Sequence, residues 1–372
     1  MSKLPLCSLP FTQIHINPDA SFRECCQTNP QLNSKESTIV DWWYHNQQLA
    51  QFRESLLQPT LPKKCSGCHL QEITTNSSYR TEVNKQTNIQ DSTINFPSRW
   101  HINFGNKCNL GCWTCNEKFS SVIEKQKQKL GQIPITASIN SKFNMLWDSN
   151  LQASILESYD HHNIINLSCL GGEPIYNKKL LNFLNYLIDH GLSSRTRLEL
   201  TTNGTQPLPK IQHLLDKKVW DHISVFISID AIGKKAEWLR YGSDWDHINN
   251  NVKTIKELVG YTEIHTVISI LNITNVVDVY DYAKSQGMKF TPNSVTDPDF
   301  MSLKSWDGTN PVEGRLKDFE ARNLQEYYWL IGSQSVTGNK QRLKAYIESF
   351  NLVRDKRLKD YDLDLNNELG IA

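Results

Sequence analysis

The sequence predicts an α/β protein organised around a parallel sheet, and three observations carry that expectation. Between Arg99 and about Pro292, short apolar runs alternate with amphipathic stretches of helical period. The runs Trp100–Phe104, Ile164–Leu170, Arg197–Thr201, Ile223–Ile229, Glu263–Ile270 and Met288–Thr291 are largely apolar, as strands of a helix-covered parallel sheet are. The stretches near 113–129, 178–190, 207–218, 247–259 and 274–286 supply the crossover helices that parallel strands require. Either an open doubly wound sheet or a partial barrel satisfies six such βα units.

The elements on either side follow in chain order. Phe11–Ile16 alternates like a strand, Asn17-Pro18-Asp19-Ala20 reads as a turn, and Ser21–Glu24 as a second short strand. A helical stretch is expected over Asp41–Leu57 and a polar linker over Ser77–Ser98. Residues 130–163 read as an insertion anchored by Phe and Trp side chains, and 313–372 as a charged tail of helical period. The chain therefore divides into 1–95, 96–300 and 301–372.

Forty basic against thirty-nine acidic residues leave a formal charge of +1, which gives no global reason to expect nucleic acid or an anionic membrane as partner. No run approaches the ~18 apolar residues of a membrane span, and Met1–Cys7 lacks the apolar core of a secretory signal. A cytoplasmic protein is expected. In that compartment nine cysteines read as metal or redox ligands rather than disulfides. Seven fall into two groups, Cys108/Cys112/Cys115 and Cys7/Cys25/Cys65/Cys68.

The first group, Cys108-Asn109-Leu110-Gly111-Cys112-Trp113-Thr114-Cys115, directly follows the first strand of the βα array. Three thiolates can hold an iron–sulfur cubane while leaving one iron without a protein ligand, and an open metal position is where chemistry occurs. The bland alternative is a zinc site or packed cysteines.

The C-x3-C-x2-C spacing resembles the signature of the radical S-adenosylmethionine superfamily, and the resemblance spans about 99–292. It implies a partial (β/α)6 TIM-type barrel, a catalytic [4Fe-4S] cluster on Cys108, Cys112 and Cys115, and S-adenosyl-L-methionine as cofactor. Gly171-Gly172-Glu173-Pro174 resembles the family's GGEP motif, which meets the amino group of the methionine moiety. Ser228-Ile229-Asp230-Ala231 sits where relatives contact the ribose, and Arg240 resembles an arginine that pairs with the methionine carboxylate. Asn203, in Thr202-Asn203-Gly204, holds a further position of the same kind. Thr114 and Ala231 depart from the family pattern, which usually has an aromatic before the third cysteine and a glycine after the Asp. The resemblance also implies an electron donor such as flavodoxin or ferredoxin.

Cys7, Cys25, Cys65 and Cys68 can saturate one zinc ion or one cluster. Their surroundings resemble the twitch and SPASM auxiliary modules of the same superfamily, here preceding the barrel rather than following it. That implies a second [4Fe-4S] cluster, with Cys26 an alternative to Cys25 as ligand. Cys169 lies on an apolar strand and reads as a packed thiol. No hydrogen donor or base is assigned. The implied substrate is a peptide or a small polar molecule; the rival reading is a zinc-stabilised binding protein without catalysis.

Overall fold

The structure, a computed structural model, describes residues 6–26, 28, 38–87, 93–135, 139–295, 297–303 and 339–371. The first part of the expected tail, 313–338, lies outside the described residues, as do short parts of the N-terminal region and of the 130–163 insertion.

Eight strands form one sheet: β1 (Gln13–Ile16), β2 (Phe22–Arg23), β3 (Arg99–Asn103), β5 (Ile165–Leu170), β6 (Thr196–Thr202), β7 (His222–Ser228), β9 (Tyr261–Ile268) and β10 (Lys289–Ser294). The two other strands among the described residues, β4 (Gly111–Cys112) and β8 (Arg240–Tyr241), pair separately. Across the sheet the order is β10-β9-β7-β6-β5-β3-β1-β2, and every pairing is parallel except β1 with β2.

That order decides between the two architectures left open by the pattern. A doubly wound sheet reverses its strand order at a switch point. Here β3, β5, β6, β7, β9 and β10 follow one another without reversal. Right-handed crossovers then place the helices that connect these strands on one face, as in a (β/α) barrel, and among the described residues β10 and β2 remain as unjoined edges. The result is a partial barrel.

The covered face is apolar. Ile14, Trp100, Leu167, Leu198 and Ile223 form one cross-strand row, and Ile16, Ile102, Cys169, Leu200 and Val225 the next. All ten are buried. Cys169 is a packed thiol of this layer, as expected. Trp100 Nε1 donates to Ser158 Oγ (2.9 Å) on the covering helix Gln152–His161. Phe143 and Trp147 anchor the insertion by packing 5.5 and 5.2 Å from Phe104.

The opposite face is polar, which the reading of the strands as largely apolar did not anticipate. Successive strands contribute His15, His101, Ser168, Glu199, Ser224 and Tyr261 to a single row. Staves of an open barrel pack under helices on one side only, so their inner face can carry polar side chains.

Four local expectations change. The N-terminal hairpin extends the main sheet, since β1 lies parallel to β3. The 41–57 stretch is two helices, Ile39–His45 and Gln47–Ser55, broken at Asn46, whose side chain caps the second by accepting from Leu49 N–H. The polar 77–98 segment contains the helix Tyr79–Gln86, started by a capping box between Ser78 and Thr81. The helix placed near 113–129 begins only at Ser121, leaving 113–120 as loop.

Candidate functional site

The cysteine loop leaves the C-terminal end of β3, where an α/β sheet presents its chemistry. Several bonds fix its path. Leu110 N–H points at Cys108 Sγ (3.4 Å), Ser120 Oγ donates to Leu110 O (2.6 Å), and Trp113 N–H donates to Leu239 O (2.9 Å). β4 pairs antiparallel with β8, so that Cys112 stands directly opposite Arg240. The sequence separates these residues widely; the short ladder brings them together. Tyr241-Gly242 follows Arg240 as the rest of that ladder and its exit.

Cys108, Cys112 and Cys115 are all partly exposed. Burial of the sulfur environment pushes Cys108 up to about 12, with Cys112 adding to the rise and Arg240 opposing it. Burial raises Cys112 as well, again against the pull of Arg240, and raises Cys115, which also feels the other two thiols. Cys112 acts on Cys108, and both act on Cys115, so the three thiols are neighbours. A metal that deprotonates them releases protons on binding.

The end of β6 closes over this loop. Asn203 Nδ2 donates to Asn109 Oδ1 (3.0 Å) and lies 3.9 Å from Cys108 Sγ. Asn109 Nδ2 donates in turn to Thr205 Oγ1 (2.7 Å), whose hydroxyl bonds Asn203 Oδ1 (2.6 Å). Asn109 and Thr205 were missed from the sequence, where single polar loop residues carry no signal.

Gly171-Gly172-Glu173-Pro174 follows β5, and its glycines serve a neighbouring chain segment. A Cβ on Gly171 (φ 107°) would lie 2.5 Å from Phe104 N, and one on Gly172 would lie 2.3 Å from Lys107 O. Two backbone bonds lock the same contact, Gly172 N–H to Gly105 O (3.0 Å) and Glu173 N–H to Lys107 O (2.9 Å). Buried Glu173 accepts from Asn203 N–H (2.7 Å), Thr202 Oγ1 (2.8 Å) and Ile175 N–H (3.2 Å). Burial pushes its carboxyl up to about 7 despite those donors. Pro174 opens the turn Pro174–Tyr176, in which Pro174 and Ile175 are buried and Tyr176 is exposed. The motif thus braces the cysteine loop through its backbone.

Asp230 and Arg240, both buried, form an ion pair through Nε and Oδ2 (2.9 Å). Asp230 Oδ1 also accepts from Val267 N–H (2.8 Å). Burial would lower the Arg240 guanidinium, but Asp230 and the thiols of Cys112 and Cys108 hold it above its usual value. Ser228 ends β7, half-buried, two residues before Asp230.

A second guanidinium arrives from the C-terminal region. Arg354, just after the helix Asn339–Asn351, is buried with its carbon centre 4.2 Å from the Trp113 ring and 4.5 Å from Phe350. It donates twice to Gln126 Oε1, at 2.8 and 3.2 Å. Burial lowers it to about 10. Arg240 and Arg354 both favour the thiolate form of Cys112.

The other four cysteines gather apart from this site. Cys7, Cys25, Cys65 and Cys68 line one small pocket together with Phe52, Lys64 and Arg80. Cys26 is more exposed and is not on that lining. Burial pushes Cys7 up to about 12, and Cys25, Cys65 and Cys68 push the same way.

The chemistry of the first donor set, three thiolates from one loop, fits an iron–sulfur cluster, which takes its thiolates on separate irons. Among the described residues, no three His, Cys, Asp or Glu side chains converge as ligands of a single metal ion. The first site also supplies three thiolates with two guanidiniums to offset their charge.

The model of the radical SAM superfamily matches residues 102–284. No curated protein matches the chain. Among solved structures, it resembles native anSMEcpe with bound AdoMet and Cp18Cys peptide at 16% identity over 66% of this chain and 63% of that one, TM-score 0.38. It resembles Streptococcus suis SuiB at 14% identity over 83% and 64%, TM-score 0.41, and TYW1 with a lysine-pyruvate adduct at 14% over 54% and 62%, TM-score 0.31. The chain thus spans less than two thirds of the length of each. No helix among the described residues is long and apolar enough to cross a membrane. Residues 102–284, with their three-cysteine loop at the head of the sheet, form a radical SAM superfamily domain.

Proposed function

We propose that the protein is a radical SAM enzyme that cleaves S-adenosyl-L-methionine reductively and abstracts hydrogen from a peptide or small polar substrate, the net change being an oxidation, epimerisation or related modification. The observation that carries this reading is the pairing of Cys112 with Arg240 across the β4–β8 ladder, which puts a buried guanidinium beside an incomplete set of thiolates. When bound, a reduced [4Fe-4S] cluster with its cofactor supplies an electron and, through it, a 5′-deoxyadenosyl radical.

Cys108, Cys112 and Cys115 would hold that cluster. Arg240, anchored through Nε by Asp230, keeps its fork for the methionine carboxylate. Gly171, Gly172, Glu173, Pro174, Asn203 and Ser228 would line the remainder of the cofactor site. Glu173 and Asp230 act there as braces, because their oxygens already accept protein donors. Cys7, Cys25, Cys65 and Cys68 would hold a second, auxiliary [4Fe-4S] cluster in a twitch-like module within residues 1–95, preceding a 96–300 barrel and a 301–372 extension. The polar inner face of the sheet suits a polar substrate. An electron donor such as flavodoxin or ferredoxin and a cytoplasmic setting complete the proposal.

Arg240→Ala alone would strand the buried Asp230 carboxylate, so the test compares Asp230→Asn with Asp230→Asn/Arg240→Ala. Titrating S-adenosylmethionine against the reduced cluster, followed by electron paramagnetic resonance, should show the double variant binding roughly 10- to 100-fold more weakly, the value of a charge-assisted contact. Equal affinity in the two proteins would remove Arg240 from the cofactor site.

A further inference from the structure

At the β2-β1-β3 edge of the polar face lies a cluster of side chains that the cofactor site does not use. The register puts Gln13 opposite Arg99, and His15 opposite both His101 and Arg23, so all five share one face. The two imidazoles stack with centroids 4.5 Å apart. Gln13 and His15 are more than nine-tenths buried, at 3% and 4% exposure.

Five of their polar atoms are orphaned, although Arg23 Nη1 donates to Thr28 O (3.4 Å). Gln13 Nε2, His15 Nδ1, Arg23 Nε, Arg99 Nε and His101 Nδ1 are buried without a hydrogen-bond partner. At least four of these atoms are donors. The amide nitrogen of Asn103 is oriented by its bond to Ile16 O (3.0 Å), and it also faces His15 Nε2 (3.4 Å). His15 Nε2 is therefore the acceptor, and the proton sits on Nδ1. Buried donors in a native protein have partners, and a set without them indicates a ligand.

The charge specifies the ligand. Neither guanidinium has a carboxylate partner among the described residues. Burial lowers both histidines; His101 and Arg23 lower His15 further, against the side chain of Asn17, and Arg99 and Arg23 lower His101 further. Glu199, the one carboxylate in the row of His15 and His101, accepts from Ser168 Oγ and forms no ion pair with either arginine; a water molecule could take some of the donors but would bring no negative charge. An oxyanion answers both, and guanidinium forks are suited to carboxylate and phosphate oxygens.

The location specifies its use. Asn103 ends β3, whose outgoing loop carries Cys108, while Arg23 lies two residues before Cys25. Tyr79 lies among Cys26, Glu199 and Arg99. The cluster thus sits on the inner face of the barrel, beside the N-terminal cysteine module. We propose that Gln13, His15, Arg23, Arg99 and His101 form an oxyanion subsite that holds a carboxylate or phosphate of the substrate. This rests on the enzymatic reading above for its purpose, though not for its existence.

Calorimetric titration of the full-length protein with inorganic phosphate and, separately, with glutarate tests it. Wild-type protein should bind at least one of them; the tighter of the two identifies the source as phosphate or carboxylate. Arg23→Gln and Arg99→Gln should each weaken binding roughly 10-fold or more. Arg99→Lys, which keeps the charge without the fork, should retain part of it. Arg197→Gln, on the same face but paired with Asp221, should bind as wild type does. No binding of either anion by wild-type protein, or equal binding by Arg23→Gln/Arg99→Gln protein of unchanged circular dichroism, would overturn the subsite. The titration needs neither reductant nor S-adenosylmethionine. Failure of the enzymatic reading would appear instead as absence of 5′-deoxyadenosine, in a separate assay.

Discussion

Gly172→Ala tests whether the Gly171-Gly172 pair serves packing against the cysteine loop. The added methyl would meet Lys107 O at 2.3 Å, Lys107 C at 2.6 Å and Asn106 C at 2.7 Å. All three are backbone atoms, so no side chain can rotate away. Overpacking of this kind costs about 1–3 kcal/mol. Separating the two segments also weakens the Gly172–Gly105 and Glu173–Lys107 hydrogen bonds, each about 0.5–1.5 kcal/mol. The sum is about 2–6 kcal/mol. Gly172 does not have a positive φ, so backbone strain does not confuse the result, whereas Gly171 at φ 107° would mix both effects. Gly260→Ala is the control, because its nearest contact would be 3.7 Å. Urea denaturation of the metal-free proteins reads the difference, and iron content after reconstitution reads displacement of Cys108, the residue after Lys107. If Gly172→Ala and Gly260→Ala were equally stable and loaded equal iron, the glycine would be there for a ligand and the packing argument would fail.

Two further outcomes follow from the same geometry. Burial beside Arg99 and Arg23 pushes His101 from 6.5 to about 4, so its contribution is intact above about 6.5 and is lost as pH falls toward 4; His101→Phe should flatten that acid limb by about 3 kcal/mol, and an unchanged pH dependence of urea denaturation would contradict it. Arg354→Ala should lower stability by about 3 kcal/mol, because it leaves the buried Gln126 amide oxygen unpaired and opens a hole beside Trp113 and Phe350; a shift below about 0.5 kcal/mol in thermal denaturation would mean that the C-terminal region is not packed on the cysteine loop as described.

The parts of this molecule that were legible in the sequence are those written locally. Cys108, Cys112 and Cys115 fall within one short loop, and Gly171–Pro174 follows a run that could only be a strand. The six barrel strands were recognisable because β-branched and apolar residues cluster between helical stretches. Pairings across distance were not legible: nothing local joins Cys112 to Arg240, or Trp113 to Arg354.

The polar inner face was legible but went unread. Arg99-Trp100-His101-Ile102-Asn103 alternates at the period of a half-buried strand, and so does Thr196-Arg197-Leu198-Glu199-Leu200. Weighing the runs by apolar content hid the alternation. Read by period, they would have pointed to an open barrel before any coordinates. The helix Tyr79–Gln86 was missed for a related reason: polarity suggested a linker, while the capping signal at Ser78 and Thr81 was present.

The central claim is that three cysteines, and not the other four, make the site that cleaves the cofactor. The direct measurement is 5′-deoxyadenosine formed from S-adenosylmethionine by anaerobically reconstituted, reduced protein, compared with the Cys108→Ala/Cys112→Ala/Cys115→Ala variant. Wild-type protein should form it, and the triple variant should form none while keeping about half of the iron, the four-iron share of the second site. Cleavage by the triple variant, or none by iron-loaded wild-type protein, would contradict the assignment.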